Sequence, residues 1–216
     1  SGAGVGIVGD GLSGIELASE LRESRADLEI LLYDRGPRIL RNFPEKLSKY
    51  ISKWFSKHDV TVVPNSVIDR VEPGKIYNNG QPEDIDLVVW TAGIQPVEVV
   101  RNLPIDLSNT GRVILNQYHQ VPTYKNVYVV GDCADLPHAP SAQLAELQGD
   151  QIADVLKKQW NNESLPDKMP EIKIQGFLGS LGDKQGFAYI MDRTVTGRLA
   201  SILKSGVLWL YKYHNG

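Results

Sequence analysis

The first part of the chain alternates short apolar runs with one helical stripe. Residues 5–8 form an apolar run of strand length, residues 13–23 place apolar side chains at helical spacing, and residues 28–33 form a second apolar run. A glycine-rich turn separates the first run from the helical segment. Strand, turn, helix and strand within about 30 residues is the pattern of a βαβ unit, so we predict two parallel strands joined by a helix.

The next stretch combines one strongly amphipathic helix with several short strands. Residues 44–57 carry apolar side chains at positions i, i+3, i+4, i+7 and i+8 counted from Leu47, and the proline at their start suits the first turn of a helix. Asn79-Gly80 is a strong signal for a two-residue hairpin turn. The short strands are predicted at residues 60–63, 67–71 and 75–77. We therefore expect the helix to cover one face of a sheet and the short strands to form a β-meander.

Two later apolar runs end in glycine-containing loops. Residues 85–90 lead into the loop at residues 91–93, and residues 127–130 lead into Gly131 and Asp132. Ligands collect at the carboxyl ends of the strands in an open α/β sheet. Both loops are therefore candidate site loops.

The last part of the chain is predicted to be helical at both ends. A helix is predicted over residues 141–160, followed by a polar, proline-bearing linker over residues 161–170. Two short strands around residues 179–186 and a helix from about Val195 follow. The pattern as a whole predicts an α/β protein.

The composition is that of a globular protein and excludes several functions. Of 216 residues, 42% are hydrophobic and 23% are charged, and the formal net charge of −3 offers no basic excess for binding nucleic acid. Cys133 is the only cysteine, so neither an intrachain disulfide nor a Cys-rich zinc site can form, and a reducing compartment fits best. The four histidines show no metal-ligand spacing, so no metal site is predicted.

The glycine-rich turn has the spacing of a dinucleotide-binding turn. Gly9 permits a sharp bend, Gly11 lets the backbone approach a phosphate, and Gly14 lets helix and strand pack closely. Unpaired N–H groups at the helix start would bind the diphosphate. Asp34 follows at the end of the second strand, 20 residues beyond Gly14, where a carboxylate accepts hydrogen bonds from the adenosine ribose. This favours NAD(H), while Arg35 would suit a 2′-phosphate if Asp34 turned away.

Four segments of the chain together resemble a known enzyme family. In chain order they are GDGLSGIELASEL, TAGIQP, TYKNVYVVGDCAD and APSAQLAELQG. They resemble the FAD-dependent flavoproteins of the pyridine nucleotide-disulfide oxidoreductase family, and within it the type II NADH:quinone oxidoreductases and related NADH dehydrogenase-like proteins. The resemblance implies a Rossmann-like NAD domain with a β-meander, part of an FAD-binding domain, and a small carboxyl-terminal α+β segment.

The same resemblance assigns cofactor-binding roles by position. Glu16 matches the acidic residue that follows the third glycine, and Gly93 matches the loop that runs beside the nicotinamide. The residues that match the second FAD motif are Thr123, Tyr128, Gly131 and Asp132, and those that match the helix start against the flavin ring are Pro140, Ala142, Gln143 and Ala145. No acid or base catalyst is identified. Cys133 has no partner thiol in the chain, so a small buried residue is a better interpretation than a redox nucleophile.

The resemblance implies hydride transfer from NADH through FAD to an electron acceptor. A quinone is the expected acceptor, although Leu147 stands where respiratory members carry a second glutamine and Gln148 comes one position late. The family also carries a first FAD half ahead of its NAD domain, for which this chain has no room. We therefore expect a partial chain that binds NAD but does not bind FAD unaided. A catalytically silent nucleotide-binding or regulatory module is the alternative.

Predicted domain boundaries follow from the same match. They give an NAD(H)-binding domain over residues 1–115, the second half of an FAD-binding domain over residues 116–165, and carboxyl-terminal strands with an amphipathic helix over residues 166–216. Apolar surface left exposed by the absent half would favour self-association, so a homo-oligomer is a further expectation.

The carboxyl-terminal segment combines apolar and aromatic residues with basic ones. From Arg193 onward the chain has no aspartate or glutamate, and Trp209 and Tyr211 lie beside Lys212. Such a helix suits an anionic membrane interface, while the same apolar stripe would also serve a helix packed on its own domain or on a partner chain. No secretory signal precedes Val5. The expected location is the cytoplasm, with the protein peripheral on the inner face of the cell membrane.

Overall fold

The computed structural model describes the backbone of residues 2–214 and the side chains of residues 2–206. The described residues form two compact units. The first unit consists of the residues up to Gly93 together with those from Gln175 onward, and the second unit is Ile94–Ile174. The functional domain boundaries near residues 115 and 165 stay a prediction.

The strands all lie in the first unit. They are β1 (Gly4–Val8), β2 (Glu29–Tyr33), β3 (Val60–Val63), β4 (Ile68–Glu72), β5 (Lys75–Asn78), β6 (Gln81–Asp84), β7 (Leu87–Trp90), β8 (Gly176–Leu181), β9 (Gln185–Ile190) and β10 (Arg193–Gly197). The helices are α1 (Leu12–Ser24), α2 (Glu45–Lys57), α3 (Glu98–Arg101), α4 (Ala142–Trp160) and α5 (Arg198–His214). The α/β class predicted from the sequence is confirmed.

The centre of the first unit is a parallel sheet in the order β3-β2-β1-β7. Each neighbouring pair in this sheet is parallel, so the carboxyl ends of the four strands lie along one edge. The buried strand residues Ile7, Ile30 and Leu32 have no exposed surface. A sheet that is apolar on both faces needs covering on both sides, which explains the continuous apolar runs in the sequence.

Helices α1 and α2 bury the faces that the sequence predicts. Ile15 and Ala18 of α1 are fully buried, as are Leu47, Ile51 and Phe55 of α2, which recur at four-residue spacing. Pro44 immediately precedes α2. Proline suits a helix start, since its φ is fixed near the helical value and its missing N–H is no loss there. Both helices belong to one apolar cluster with the parallel sheet.

The meander predicted after α2 is confirmed for two of its three predicted strands, because residues 60–63 form β3 and pair in parallel with β2 instead. Strands β4, β5 and β6 form an antiparallel sheet, and Asn79 (φ 51°) and Gly80 (φ 76°) connect β5 to β6. Positive φ at both positions is what the type I′ turn requires. Ile76 of this sheet packs with Val8 and Tyr33 in a second, smaller cluster.

Three predictions about regular structure are wrong in detail. The carboxyl-terminal sheet has three strands in the order β10-β9-β8, not two, and α5 begins at Arg198 because residues 193–197 pair with β9. Residues 127–130 form no strand, and Tyr128 makes only an isolated bridge with Gln120. A strand is stabilised by neighbours on its edges, and no named strand occurs among residues 94–174.

Candidate dinucleotide site

The glycine turn, residues 9–14, connects β1 to α1 and allows only glycine at two of its three glycine positions. Gly9 has φ +114°, and a Cβ atom there would lie 2.8 Å from the backbone nitrogen of Ala92. A Cβ atom on Gly14 would lie 1.9 Å from the carbonyl oxygen of Gly9. Side chains at these positions would therefore separate the helix from the strands.

Gly11 is glycine for a different reason. A Cβ atom on Gly11 would meet nothing within 4 Å, and Gly11 has an ordinary extended conformation (φ −64°, ψ 176°) at the start of α1. The fold therefore does not require glycine there. The open space in front of the first turn of α1 is where a diphosphate would contact backbone N–H groups.

Asp34 lies at the carboxyl end of β2 and is 4% exposed. Its Oδ1 accepts a hydrogen bond from the Gly36 N–H at 2.9 Å, while its Oδ2 is buried without a hydrogen-bond partner. Burial and, to a smaller extent, the neighbouring Asp10 carboxylate raise the pKa of Asp34 to about 6, against the opposing effects of the Gly36 N–H and Arg41. A buried carboxylate oxygen without a partner is costly unless a ligand supplies a donor.

A cavity of about 260 Å³ lies where the glycine turn, β2 and the end of β7 meet. Its lining residues are Val8, Gly9, Asp10, Tyr33, Asp34, Arg35, Ser66, Ile68, Trp90, Ala92 and Gly93. Three of the residues predicted to bind NAD, namely Gly9, Asp34 and Gly93, line this cavity. Gly11 and Gly14 are not among the lining residues, although they belong to the same turn.

Thr91 links the two loops that border the cavity. Its hydroxyl lies 3.0 Å from the carbonyl oxygen of Val8 and 3.1 Å from that of Gly9. The side chain therefore joins the end of β7 to the end of β1. Gly93 follows with φ +79° and is exposed at the edge of the cavity.

Asp10 is a cavity residue that the sequence analysis missed. Its Oδ2 accepts a hydrogen bond from the Leu40 N–H at 2.7 Å, across 30 positions of the sequence. The bond ties the glycine turn to the loop that follows β2. No local pattern identifies such a contact, because it depends on where the later loop folds.

Glu16 makes contacts away from the cavity. Its Oε1 accepts hydrogen bonds from the Ser180 N–H at 2.7 Å and from the Lys204 ammonium at 2.5 Å. Both partners belong to the carboxyl-terminal part of the first unit, so Glu16 ties α1 to β8 and α5. Its predicted contact with the cofactor stays a prediction.

The second predicted site loop, the Gly131 turn (Gly131–Cys133), is a short 3-10 turn in the second unit. Gly131 has φ +74° and donates its N–H to Gln148 Oε1 at 2.9 Å. Asp132 is exposed, and its carbonyl oxygen accepts a hydrogen bond from Arg112 Nε at 3.1 Å. The Asp132 carboxylate is therefore accessible to a ligand.

The other residues predicted to contact the flavin stand at the start of α4, also in the second unit. Ala142 is exposed and Gln143 is half-buried. Ser141 precedes the helix and accepts a hydrogen bond from the Leu144 N–H at 3.2 Å through its side chain. The helix start is thus capped at its third amide and open to solvent at its first residue.

A buried side-chain network holds the Gly131 turn. Gln148 has no exposed surface, and its Nε2 lies 3.5 Å from His119 Nδ1. His119 is 5% exposed, and its Nε2 lies 2.7 Å from Gln151 Oε1. Since the amide oxygen of Gln151 can only accept, the proton of His119 is on Nε2, and Nδ1 accepts from Gln148. The sequence analysis gave Gln148 no role.

Two features are absent among the residues that the structure describes. No group of three or more His, Cys, Asp or Glu side chains is arranged to hold a metal ion in this part of the chain. No helix within the described residues is both long enough and apolar enough to cross a membrane.

The parallel sheet, the glycine turn and the acidic residue at the end of β2 are the features of a Rossmann-type fold, the fold of many dinucleotide-binding domains. Comparison with known proteins shows that the chain belongs to the pyridine nucleotide-disulphide oxidoreductase family, which it matches over residues 2–149. The resemblance inferred from the sequence is confirmed at this level.

Individual relatives cover nearly the whole chain. It is 56% identical to the NADH dehydrogenase-like protein YutJ of Bacillus subtilis over 214 residues, which are 99% of this chain and 60% of that protein. It is 26% identical to the type II NADH:quinone oxidoreductase of Haemophilus influenzae over 238 residues, covering 97% of this chain and 52% of that protein. This chain therefore spans 60% or less of the length of these relatives.

Solved structures with a similar fold include two that concern quinone or NADH. The sulfide:quinone oxidoreductase from Aquifex aeolicus superposes with a TM-score of 0.79 and 19% identity, covering 98% of this chain and 58% of that one. NDH2 from Plasmodium falciparum in complex with NADH superposes with a TM-score of 0.74 and 15% identity, covering 95% and 61%. These two similarities show the fold alone.

Proposed function

We propose that this chain binds NADH at the glycine turn and forms part of a flavin-dependent NADH dehydrogenase. The observation that carries the proposal is the buried, unpartnered Oδ2 of Asp34 in the wall of a cavity beside the glycine turn. Family membership and the 56% identity to an NADH dehydrogenase-like protein support it.

The residues of the first unit fit an NAD molecule. Gly9, Gly11 and Gly14 would leave room for the diphosphate at the start of α1, where backbone N–H groups and the helix dipole favour an anion. Asp34 would accept hydrogen bonds from the adenosine ribose through Oδ2. Gly93, which has no side chain to obstruct a flat ring, would lie beside the nicotinamide.

The residues of the second unit fit contacts with FAD. The exposed carboxylate of Asp132 would accept hydrogen bonds from the ribitol, and the positive φ of Gly131 keeps that turn tight. Ala142 and Gln143 would present the start of α4 to the flavin ring, where the helix dipole stabilises negative charge. When bound, FAD supplies the hydride acceptor and the onward electron transfer, and the chain supplies binding and orientation.

A quinone is the proposed electron acceptor. The relative from Haemophilus influenzae is named as a type II NADH:quinone oxidoreductase, and this name supports the proposal. At the position where the family carries its second glutamine, this chain has Leu147, which is half-buried. The acceptor therefore has to be tested separately from the donor.

The test is NADH binding followed by flavin reduction, carried out on the chain and on any longer natural protein found to contain it. Binding of NADH, with bleaching of bound or added FAD near 450 nm under anaerobic conditions, supports the dehydrogenase. Binding of NADH without reduction of FAD by either protein supports the alternative, a nucleotide-binding module without catalysis. Absence of NADH binding contradicts both.

We also propose that α5 attaches the protein to a membrane surface. Leu199 and Ile202 are 60% and 67% exposed, and the exposed Arg198 begins the same helix. The side chains of Trp209, Tyr211 and Lys212, on which the sequence prediction also rests, lie outside the described residues. Co-sedimentation with anionic liposomes would support this proposal, and failure to sediment at any anionic lipid content would contradict it.

Self-association remains part of the proposal. Several large apolar side chains of the second unit are exposed, among them Ile114, Val127 and Val130 at 40–43%. Sedimentation equilibrium distinguishes a homo-oligomer from a monomer.

A further inference from the structure

Two carboxylates, not one, face the place where the adenosine ribose would bind. Asp10 and Asp34 both line the cavity. Asp10 comes from the glycine turn and Asp34 from the end of β2, so the two acids approach the cavity from different elements. Each uses one oxygen to bond a backbone N–H, that of Leu40 at 2.7 Å and that of Gly36 at 2.9 Å.

The two acids stand close enough to affect each other. The negative charge of Asp10 is one of the causes that raise the pKa of Asp34, and this adds to the effect of burial. The second oxygen of Asp34 is buried without a hydrogen-bond partner. This unpaired oxygen in a cavity wall distinguishes the pair from a solvated acidic cluster.

Two arginines lie near the same acids. Arg35 lines the cavity and is exposed. A Cβ atom on Gly36 would lie 3.1 Å from Arg41 Cδ and 3.3 Å from Asp34 Oδ2, so the Arg41 side chain passes beside Asp34. Guanidinium groups bind phosphate well, and one of them, Arg35, belongs to the cavity wall while Arg41 lies close enough to lower the pKa of Asp34.

We propose that Asp10 is a second specificity-determining residue of the nucleotide site, acting with Asp34 to reject a 2′-phosphate. A dianionic phosphate on the ribose would meet two carboxylates in a partly desolvated cavity, where repulsion is screened less than in water. If Asp34 were the only carboxylate, Arg35 and Arg41 could offset its repulsion of the phosphate. A second carboxylate, that of Asp10, adds repulsion that they would not offset. This inference rests on the proposed function, because it requires that the cavity bind a dinucleotide.

The test compares the affinities of NADPH and NADH for four proteins. These are the unchanged chain, D10N, D34N and the double variant D10N/D34N, each titrated by the change in reduced-nicotinamide fluorescence. Asparagine keeps an oxygen that can accept the Leu40 N–H, so D10N removes the charge and retains the anchor. D69N is the matched control, because Asp69 also accepts a backbone N–H, from Gly80 at 2.6 Å, and does not line the cavity.

If the inference is right, removing the charge of Asp10 alone changes the preference for NADH over NADPH. D10N should shift the NADPH:NADH affinity ratio about tenfold towards NADPH, a factor that corresponds to about 1.4 kcal/mol. D10N/D34N should shift the ratio further than D34N does, and D69N should leave it unchanged. A ratio for D10N within twofold of that of the unchanged chain overturns the inference while leaving NADH binding intact.

A second measurement needs no variant. If two carboxylates repel the 2′-phosphate, added salt should raise the NADPH:NADH affinity ratio of the unchanged chain, since screening weakens repulsion. A ratio that falls as salt is added contradicts the inference. Failure of the unchanged chain to bind NADH at all would instead contradict the proposed function, and the inference with it.

Discussion

The glycine turn and the Gly131 turn have similar sequence patterns and very different surroundings. Each follows an apolar run and contains a glycine with positive φ. The glycine turn joins a strand paired on both sides to a 13-residue helix. The Gly131 turn follows residues that make one isolated bridge, and the buried side chain of Gln148 holds it.

The comparison shows that similar motifs can be fixed by different forces. At Gly9 and Gly14 of the glycine turn, backbone atoms stand so close that only glycine fits, and the parallel sheet determines the geometry. At the Gly131 turn, a Cβ atom would meet only the Ala145 Cβ at 3.4 Å, which is an ordinary contact. The positive φ of Gly131 and its hydrogen bond to Gln148 are therefore what fix this turn. The first turn should therefore respond to steric changes, and the second to the loss of a polar partner.

The largest effect is expected from Gly14→Ala. Its Cβ would lie 1.9 Å from the Gly9 carbonyl oxygen, so α1 must move away from β1. We expect urea denaturation to show a loss of about 3 kcal/mol in the free energy of unfolding, at the upper end of overpacking costs.

Gly11→Ala is the control, since its Cβ meets nothing within 4 Å. It should unfold within about 0.5 kcal/mol of the unchanged chain and still bind NADH less tightly. Equal destabilisation by both substitutions would contradict this account of the glycine turn.

A smaller loss is expected from Gln148→Leu. The substitution leaves the Gly131 N–H and His119 Nδ1 without their partner, which typically costs about 2 kcal/mol. Chemical denaturation measures the change, and the amide resonance of Gly131 should shift. Glu146→Gln on the exposed side of the same helix serves as the control. If Gln148→Leu were as stable as the control, the buried network would not be what holds the Gly131 turn.

The next largest effect is expected in the pH dependence of NADH binding at the glycine turn. Because burial, reinforced by Asp10, raises the pKa of Asp34 to about 6, the carboxyl is protonated below that pH and must lose its proton to accept from the ribose. We expect the Kd for NADH to rise about tenfold for each pH unit below 6. The sign for folding is opposite. Protonation is easier in the folded state, so Asp34 stabilises the fold most below its ordinary pKa of 3.8 and progressively less as the pH rises through 6.

Asp34→Asn provides the control for that pH dependence. The variant should bind NADH more weakly at pH 8 and show little change in affinity between pH 5 and pH 7, measured by fluorescence titration in buffers of constant ionic strength. A steep pH dependence that persists in Asp34→Asn would assign the titration to another group.

The smallest effects are expected at Glu16 and Lys204. Their charged groups are 31% and 27% exposed, so solvent screening limits the pair to less than about 1 kcal/mol. Glu16→Gln and Lys204→Met should destabilise the fold by similar amounts and leave the Kd for NADH unchanged. A loss of NADH affinity in Glu16→Gln alone would instead support the cofactor contact that the family resemblance implies.

Some of the candidate site follows from the sequence because its causes are local. Gly9 and Gly14 are constrained by neighbours within one turn and one adjacent strand end, and Asp34 stands at a fixed distance along the βαβ unit. The apolar spacing of α2 likewise predicts Leu47, Ile51 and Phe55 as core residues, and all are buried.

The parts that sequence reasoning missed depend on distant contacts. Asp10 bonds a backbone N–H that lies 30 positions away, and Gln148 bonds one that lies 17 positions away. Residues 127–130 have the apolar pattern of a strand, but pairing requires neighbours that a local pattern does not reveal. The β10 strand, with the mixed sequence RTVTG, is likewise defined by its pairing with β9.

The most direct test of the central claim is an amide chemical-shift titration of the isotopically labelled chain with NADH. The claim is that the start of α1 binds the diphosphate and Asp34 binds the ribose. It predicts saturable shifts that are largest at Gly11, Leu12 and Ser13, with further shifts at Gly36, whose N–H bonds Asp34, and at Gly93. NADH that leaves the glycine-turn amides unshifted at millimolar concentration, or that shifts only residues outside the first unit, would contradict it.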